Sequence, residues 1–470
     1  MNRRQTAAVS ATIGSVAALV TAIGSWLPSF WNDEAATLRL ARLSWGQLLA
    51  FVESKDGVHC VYAAFMHVWI QIFGESELSV RAPSIIAIGA AAAGLYRLGL
   101  HVASSAVGLA AAAIFTVLPR TAFNGIEARS YAIATALVIW SAVCLLSAIR
   151  SRRRWWFAYV ILMTLSIYVF LYSVLVLPAF LVIALWGAPQ GRTRRLRVAL
   201  GVLFPGVLAV PIAAIAVYQS EQLAWLQNQL LNPYTIGVET FFGSAWWMTL
   251  IVLGIIVICI VLTRLAIDRT VVFLLVWLLA PLLVLVTASL IFQPVFTPRY
   301  VSTSAPALAL LTAMAVVSFP RRFAVGALAV ILAAGAPYFV AVRADTAKPG
   351  GQNLRAVANA VGSEAMPGDA FLLGDLGIVS LRPRVALAAY PTAFADLVDL
   401  ALRTPYFSTG SYSDELVTRD ELKERIRTAR RIWVVSNDDA SAEVDLMRAA
   451  RFDRLKKTEI GDMTVTLWRR

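Results

Sequence analysis

The chain is poor in charge, in histidine and in cysteine. Only 15% of its 470 residues are charged, against roughly a quarter in an ordinary soluble domain. Its three cysteines, Cys60, Cys144 and Cys259, are far apart, and two of them sit within apolar stretches, so no disulfide framework is implied. Of the three histidines, His59 and His67 are eight residues apart rather than the four of a helical zinc pair, so no metal is expected. The C-terminal part, residues 346–470, has neither a glycine-rich phosphate loop nor an Asp-x-Asp metal motif. A nucleotide-sugar site and a nucleotide cofactor are therefore not expected. No internal repeat is evident, and charges do not fall at the midpoints of apolar stretches, which argues against a transporter. The N-terminal apolar segment is long and has no clear small-residue cleavage pattern after Trp26, unlike a cleavable signal.

Apolar residues are abundant: 59% of the chain is hydrophobic. Stretches near the ~20 residues needed for one bilayer crossing recur from Val9 to Val342 and then stop. Eleven spans are expected, at 9–30, 80–101, 104–119, 128–148, 156–170, 171–187, 197–217, 246–264, 271–291, 299–317 and 321–342. Arg3 and Arg4 precede the first. Arg150 and Arg152–Arg154 follow the fourth, and Arg192, Arg194, Arg195 and Arg197 follow the sixth. Arg264 and Arg269 follow the eighth, and Arg321 and Arg322 the tenth. Basic loops remain cytoplasmic, so the net charge of +13 reads as topology rather than as nucleic-acid binding. The expected domains are a membrane domain at 1–345, with outer loops at 30–79 and 218–244, and a small extracytoplasmic α/β domain at 346–470. In that domain helices are expected at 353–364, 421–430 and 442–450, and strands at 369–374, 431–436 and 463–468, with some parallel pairing. By itself such a domain reads as a lid or docking module.

The first outer loop opens with Phe30-Trp31-Asn32-Asp33-Glu34, two adjacent carboxylates directly after the first span. Ionisable groups near the bilayer are costly and usually functional, and a carboxylate there can accept a proton from a hydroxyl nucleophile. The pair equally suits the first turn of an interfacial helix. Asp56, His59, Tyr62 and His67 follow; on a continuous helix His59 and His67 would share a face. At other outer edges, Glu127 and Arg129 open the fourth span, and Arg299 and Tyr300 open the tenth beside Ser302, Thr303 and Ser304. An arginine there can snorkel to headgroups or clamp a phosphate with its planar fork; the polar stretch beside Arg299 favours the clamp. Trp225, Tyr234, Phe241, Phe242, Trp246 and Trp247 suit an interfacial belt better than sugar stacking.

The strings WNDEAATLRLA, DGVHCVYAAFMHVWIQIFGESELSVRAPS, EARSYAIA and FTPRYVSTSAPALALL resemble the GT-C glycosyltransferases. Within them the chain is most similar to the branch of protein O-mannosyltransferases, lipid A aminoarabinose transferases and bacterial family 39 relatives, in its actinobacterial, envelope-building form. Family members move a sugar from a polyprenyl-phosphate carrier to an acceptor outside the cytoplasmic membrane. The resemblance implies that Asp33 is the catalytic base and that Glu34 orients base or acceptor. It places Arg299 and Arg129, with Tyr300, at the donor phosphate, and leaves His59, Tyr62, His67 and Glu127 as substrate-pocket candidates. The implied partners are membrane lipid, the polyprenyl-phosphate sugar and an envelope glycan, glycolipid or protein acceptor. Where many relatives carry Pro-Pro or Gly-Tyr-Tyr, this chain has His59-Cys60-Val61-Tyr62, a departure that bears on the acceptor. The expected sugar is mannose, then arabinose, and no residue decides between them. An envelope-lipid flippase and an inactive scaffold relative are the competing expectations.

Overall fold

The computed structural model describes residues 2–150, 154–187, 191–228, 231–263, 267–375, 378, 381–438 and 441–470. Of the basic residues at expected span exits, Arg152, Arg153 and Arg264 lie outside them. Two compact units emerge. One comprises Met1–Ile23, Asp56–Tyr62 and Arg81–Ala341; the other comprises Gly24–Lys55, Ala63–Val80 and Val342–Arg470. The structure divides the chain differently from the boundary at residue 345 expected from composition: most of the 30–79 loop clusters with the C-terminal part.

Among the described residues six helices are long and apolar enough to cross a membrane: Arg3–Ala22, Glu77–Val102, Tyr131–Arg150, Arg269–Ile291, Pro298–Ser318 and Arg321–Ala341; all belong to the first unit except the first four residues of Glu77–Val102, which belong to the second. Three bent pairs add further candidates, namely Ser105–Val117 with Pro119–Gly125 (66°), Arg192–Leu208 with Val210–Tyr218 (42°), and Thr235–Phe242 with Trp246–Leu262 (95°). Two shorter apolar helices, Arg154–Val169 and Leu171–Gly187, complete the set among the described residues. Each expected span coincides with one of these segments. The bends have local causes. Pro119 begins its helix at a position where a missing N–H costs nothing, and Gly243 takes φ +54 at the sharpest corner. The first span stops at Ala22 rather than at 30, because Gly24 turns the chain at φ +68. Helices approach closely at small residues: a Cβ on Gly99 would lie 2.3 Å from the Gly108 backbone, so neither glycine tolerates a side chain there.

In the second unit the helix Asn32–Arg42 follows the first span. The C-terminal part forms a five-stranded sheet of order β2-β1-β5-β7-β6, with β1 Ala370–Leu373, β2 Val398–Asp399, β5 Arg431–Ser436, β6 Asp453–Ile460 and β7 Met463–Arg469. β1 pairs in parallel with β2 and β5, while β5, β7 and β6 pair antiparallel. A separate two-stranded ribbon joins β3 Leu402–Thr404 to β4 Glu415–Leu416. Helix Leu354–Gly362 is capped by the Asn353 side chain, which accepts from the Ala356 N–H at 3.0 Å. Thr418 and Glu421 form a reciprocal capping box on Arg419–Thr428. The core beneath the sheet contains Leu372, Ile432, Val434, Val444, Met447 and Trp468. All six expected elements are present; the strands β2, β3, β4 and β6 lie outside them.

Candidate active site

In the membrane unit, Arg299 lies in the 3-10 turn Pro298–Ser304. This turn is pinned from two sides. The Trp277 Nε1–H donates to the Thr303 carbonyl at 2.8 Å, and Ser304 Oγ donates back to the Trp277 carbonyl at 3.0 Å. Ser302 Oγ donates to the Arg299 carbonyl at 2.6 Å and accepts from Asn124 Nδ2 at 2.9 Å. The Ser-Thr-Ser stretch is thus buried and holds the turn, rather than lining a polar cavity. The half-buried Arg299 guanidinium lies 5.3 Å over the Trp225 ring, a cation–π contact that fixes its direction.

Tyr300 stacks on Tyr172 (4.6 Å, 25°) and borders Phe170, within a cluster that includes Tyr131 and Val61. Arg299 and Arg129 both lie close enough to Tyr300 to interact with it electrostatically. The structure therefore gathers the three residues expected at the donor phosphate. Arg120, outside the residues expected at the site from the sequence, lies in electrostatic range of Arg299 and Glu127. It is anchored to the Thr240 and Glu239 carbonyls at 2.9 and 2.5 Å. Its only sequence signal is its place directly after Leu118-Pro119, at the end of an expected span. The Glu127 and Arg81 side chains are buried, and the Glu127 carbonyl accepts from Ser84 Oγ at 2.6 Å.

His59 and His67 do not share a helix face. His59 ends a 3-10 turn, Gly57–His59, ahead of helix Cys60–Phe73, so helical spacing does not link them. His59 Nδ1 is 2.7 Å from Asp56 Oδ1, which orients its ring; Tyr62 is buried in the same unit. His67 belongs to the other unit, where both ring nitrogens are engaged, Nδ1 by the Ala41 carbonyl (2.9 Å) and Nε2 by Gln71 (2.7 Å). Such a ring braces helix Asn32–Arg42. Among the described residues no group of three or more His, Cys, Asp and Glu is placed to hold a metal.

Asp33 and Glu34 occupy the first turn of helix Asn32–Arg42, with Arg39 and Arg42 in its last turn. That charge order complements the helix dipole. Successive helical side chains diverge by about 100°, so the two carboxylates meet different surroundings. Asp33 is half-exposed, whereas Glu34 is fully buried with its Oε1 3.9 Å from the Nζ of buried Lys348. Lys348 comes from the segment after the last span, and no sequence pattern marked it.

Residues 59–218 match the family model described as Dolichyl-phosphate-mannose-protein mannosyltransferase. No curated protein sequence matches the chain. Among solved structures, ArnT from Cupriavidus metallidurans is similar at 14% identity and TM-score 0.57 in its apo state, over 97% of both chains. Its undecaprenyl phosphate-bound form gives 15% and 0.56, again over 97% of both chains. The mycobacterial arabinofuranosyltransferase AftD is similar at 16% and 0.55 over all of this chain, which spans 40% of that one. The archaeal oligosaccharyltransferase AglB from Archaeoglobus fulgidus, in complex with an inhibitory peptide and a dolichol-phosphate, gives 11% and 0.51 over 93% of this chain and 70% of that one. Helices apolar and long enough to cross a membrane several times, with a strand-containing C-terminal part, give this chain the fold of the ArnT and AftD structures.

Proposed function

We propose that the chain is an inverting glycosyltransferase. It moves a sugar from a polyprenyl-phosphate carrier to an envelope glycan, glycolipid or protein on the outer face of the cytoplasmic membrane. The observation that carries this reading is the unequal environment of the two adjacent carboxylates in a chain with the GT-C fold. Asp33 is half-exposed, while Glu34 is buried against Lys348, so Asp33 is the carboxylate of the two that an acceptor can reach. Asp33 takes the proton of the acceptor hydroxyl as its oxygen bonds to C1 of the sugar. The bond from C1 to the phosphate oxygen breaks, and its electron pair leaves on the polyprenyl phosphate. That leaving group is already anionic and needs charge stabilisation rather than a proton, the task of Arg299 and Arg129. One base without a carboxylate nucleophile corresponds to a single displacement with inversion.

The arginines at even-numbered span exits support a cytoplasmic N-terminus, which puts the C-terminal part outside. The family description supports mannose as the sugar, and the likeness to an arabinofuranosyltransferase supports arabinose. The test is turnover of purified protein with polyprenyl-phosphate mannose and polyprenyl-phosphate arabinose, read as release of free polyprenyl phosphate. Release with one donor and not the other assigns the sugar. A flippase would move the lipid intact and release none.

A further inference from the structure

The C-terminal part of the chain grips the segment that leads into the Asp33 helix. Arg355, in helix Leu354–Gly362, sends Nη2 to three consecutive carbonyls, Trp26, Leu27 and Pro28, each at 3.0 Å. Its Nε–H donates to Glu77 Oε1 at 2.8 Å, and its backbone N–H donates to Ser29 Oγ at 3.1 Å. The Tyr390 hydroxyl accepts the Phe30 N–H at 2.9 Å and donates to the same Glu77 oxygen at 2.7 Å. Its ring packs on that of Phe30, centroid to centroid at 5.4 Å, and Phe30 is 2% exposed. Burial, together with Glu77, pushes the Tyr390 hydroxyl up to about 12, which keeps it a neutral donor. Five residues in a row, 26–30, are thus tied to Arg355 and Tyr390, more than 300 positions away in sequence. The next element is the helix bearing Asp33. That helix is held further along as well. Arg42 Nη1 donates to the Ala388 carbonyl at 2.6 Å, and Arg39 donates to the Tyr412 carbonyl.

We propose that Arg355 and Tyr390, converging on Glu77, are positioning residues for Asp33, so that the C-terminal part is the frame that aims the catalytic base rather than a lid. The proposal rests on the glycosyltransferase reading for its kinetic consequences and on the structure alone for the ordering of residues 26–42. The geometry decides which atoms matter. The Trp26, Leu27 and Pro28 carbonyls converge on one guanidinium nitrogen while a second nitrogen holds Glu77, and an ammonium cannot serve both sets at once. The Tyr390 hydroxyl is the only group of that ring that reaches the Phe30 N–H, so a phenylalanine keeps the packing and loses the tie.

The test uses the full chain with Arg355→Lys and Tyr390→Phe, both of which retain size and packing. Misplacing a catalytic group by about 1 Å costs up to ~100-fold in rate. Arg355→Lys is expected to lower kcat by roughly 10- to 100-fold and Tyr390→Phe by about 3- to 10-fold, with donor KM and donor-binding stoichiometry unchanged. In parallel, hydrogen exchange at the amides of 26–42 should quicken in both variants while the sheet amides of β1, β5 and β7 keep their protection. Unaltered exchange at 26–42 overturns the proposal whether or not the protein turns over. Loss of kcat in proportion to donor-binding stoichiometry also overturns it, because that pattern marks simple unfolding. A wild-type protein that fails to turn over while 26–42 still loosens in the variants refutes the glycosyltransferase reading instead.

Discussion

Replacing Lys348 by Met removes the cation that lies 3.9 Å from the buried Glu34 carboxylate. The two side chains are 1% and 0% exposed and their charged atoms are 3.9 Å apart. At an effective dielectric constant near 20, charges at that separation attract by about 4 kcal/mol. Most of that attraction offsets the desolvation of both groups, so the pair adds little net stability. Removing one partner is different, because the remaining buried charge costs roughly 3–5 kcal/mol. At about 2–4 °C per kcal/mol for a unit of this size, Lys348→Met should lower the melting temperature by about 6–20 °C. Glu34→Leu should do the same. The double variant Glu34→Leu/Lys348→Met replaces the pair with apolar volume and should melt within about 5 °C of wild type. The assay is thermal unfolding in detergent followed by intrinsic tryptophan fluorescence, with Trp433 and Trp468 as buried reporters in the same unit. A double variant whose loss equals the sum of the two single losses would refute the coupling. Transfer activity then separates two roles for Glu34. If it serves only as an anchor, turnover returns with stability in the double variant; if it orients the acceptor, stability returns alone.

Three further outcomes are expected. Asp33→Asn removes the proton acceptor while keeping the shape, and should lower turnover by about 10²–10⁴ with donor affinity unchanged; retention of most activity would move the base elsewhere. Arg299→Ala should weaken binding of a non-hydrolysable polyprenyl-phosphate sugar by about ten- to a hundredfold, and Arg299→Lys by less, since a charge-assisted bond to phosphate is lost or reduced to a point charge. Equal affinities would remove Arg299 from the donor site, leaving Arg129 and Arg120. A periplasmically activated reporter fused after Arg470 should be active, and cytoplasmic activity there would reverse the assigned topology.

Apolar runs near twenty residues long announce spans because the bilayer imposes a length, and the eleven expected stretches all appear as helical segments. Asp33-Glu34 was legible because two carboxylates directly after such a run stand out against it. The C-terminal helices and strands were legible from caps and alternation; RIWVVS is β5 to the residue. β6, with the sequence DRLKKTEI, escaped because it is an exposed edge strand whose charges guard its free side and erase the hydrophobic alternation.

What the chain alone determined was local: which segments are apolar enough to span, and which polar residues sit at their ends. What only the tertiary structure decided was partnership between distant positions. Neighbours in sequence, Asp33 and Glu34 part company because a helix turns them into different surroundings, and the partner of Glu34 lies over 300 residues away. Arg299 and Trp225 meet, as do Arg355 and the carbonyls of 26–28, only once the chain has folded back on itself. No periodicity records such meetings, because long-range contacts depend on how elements pack and not on the order in which they were made.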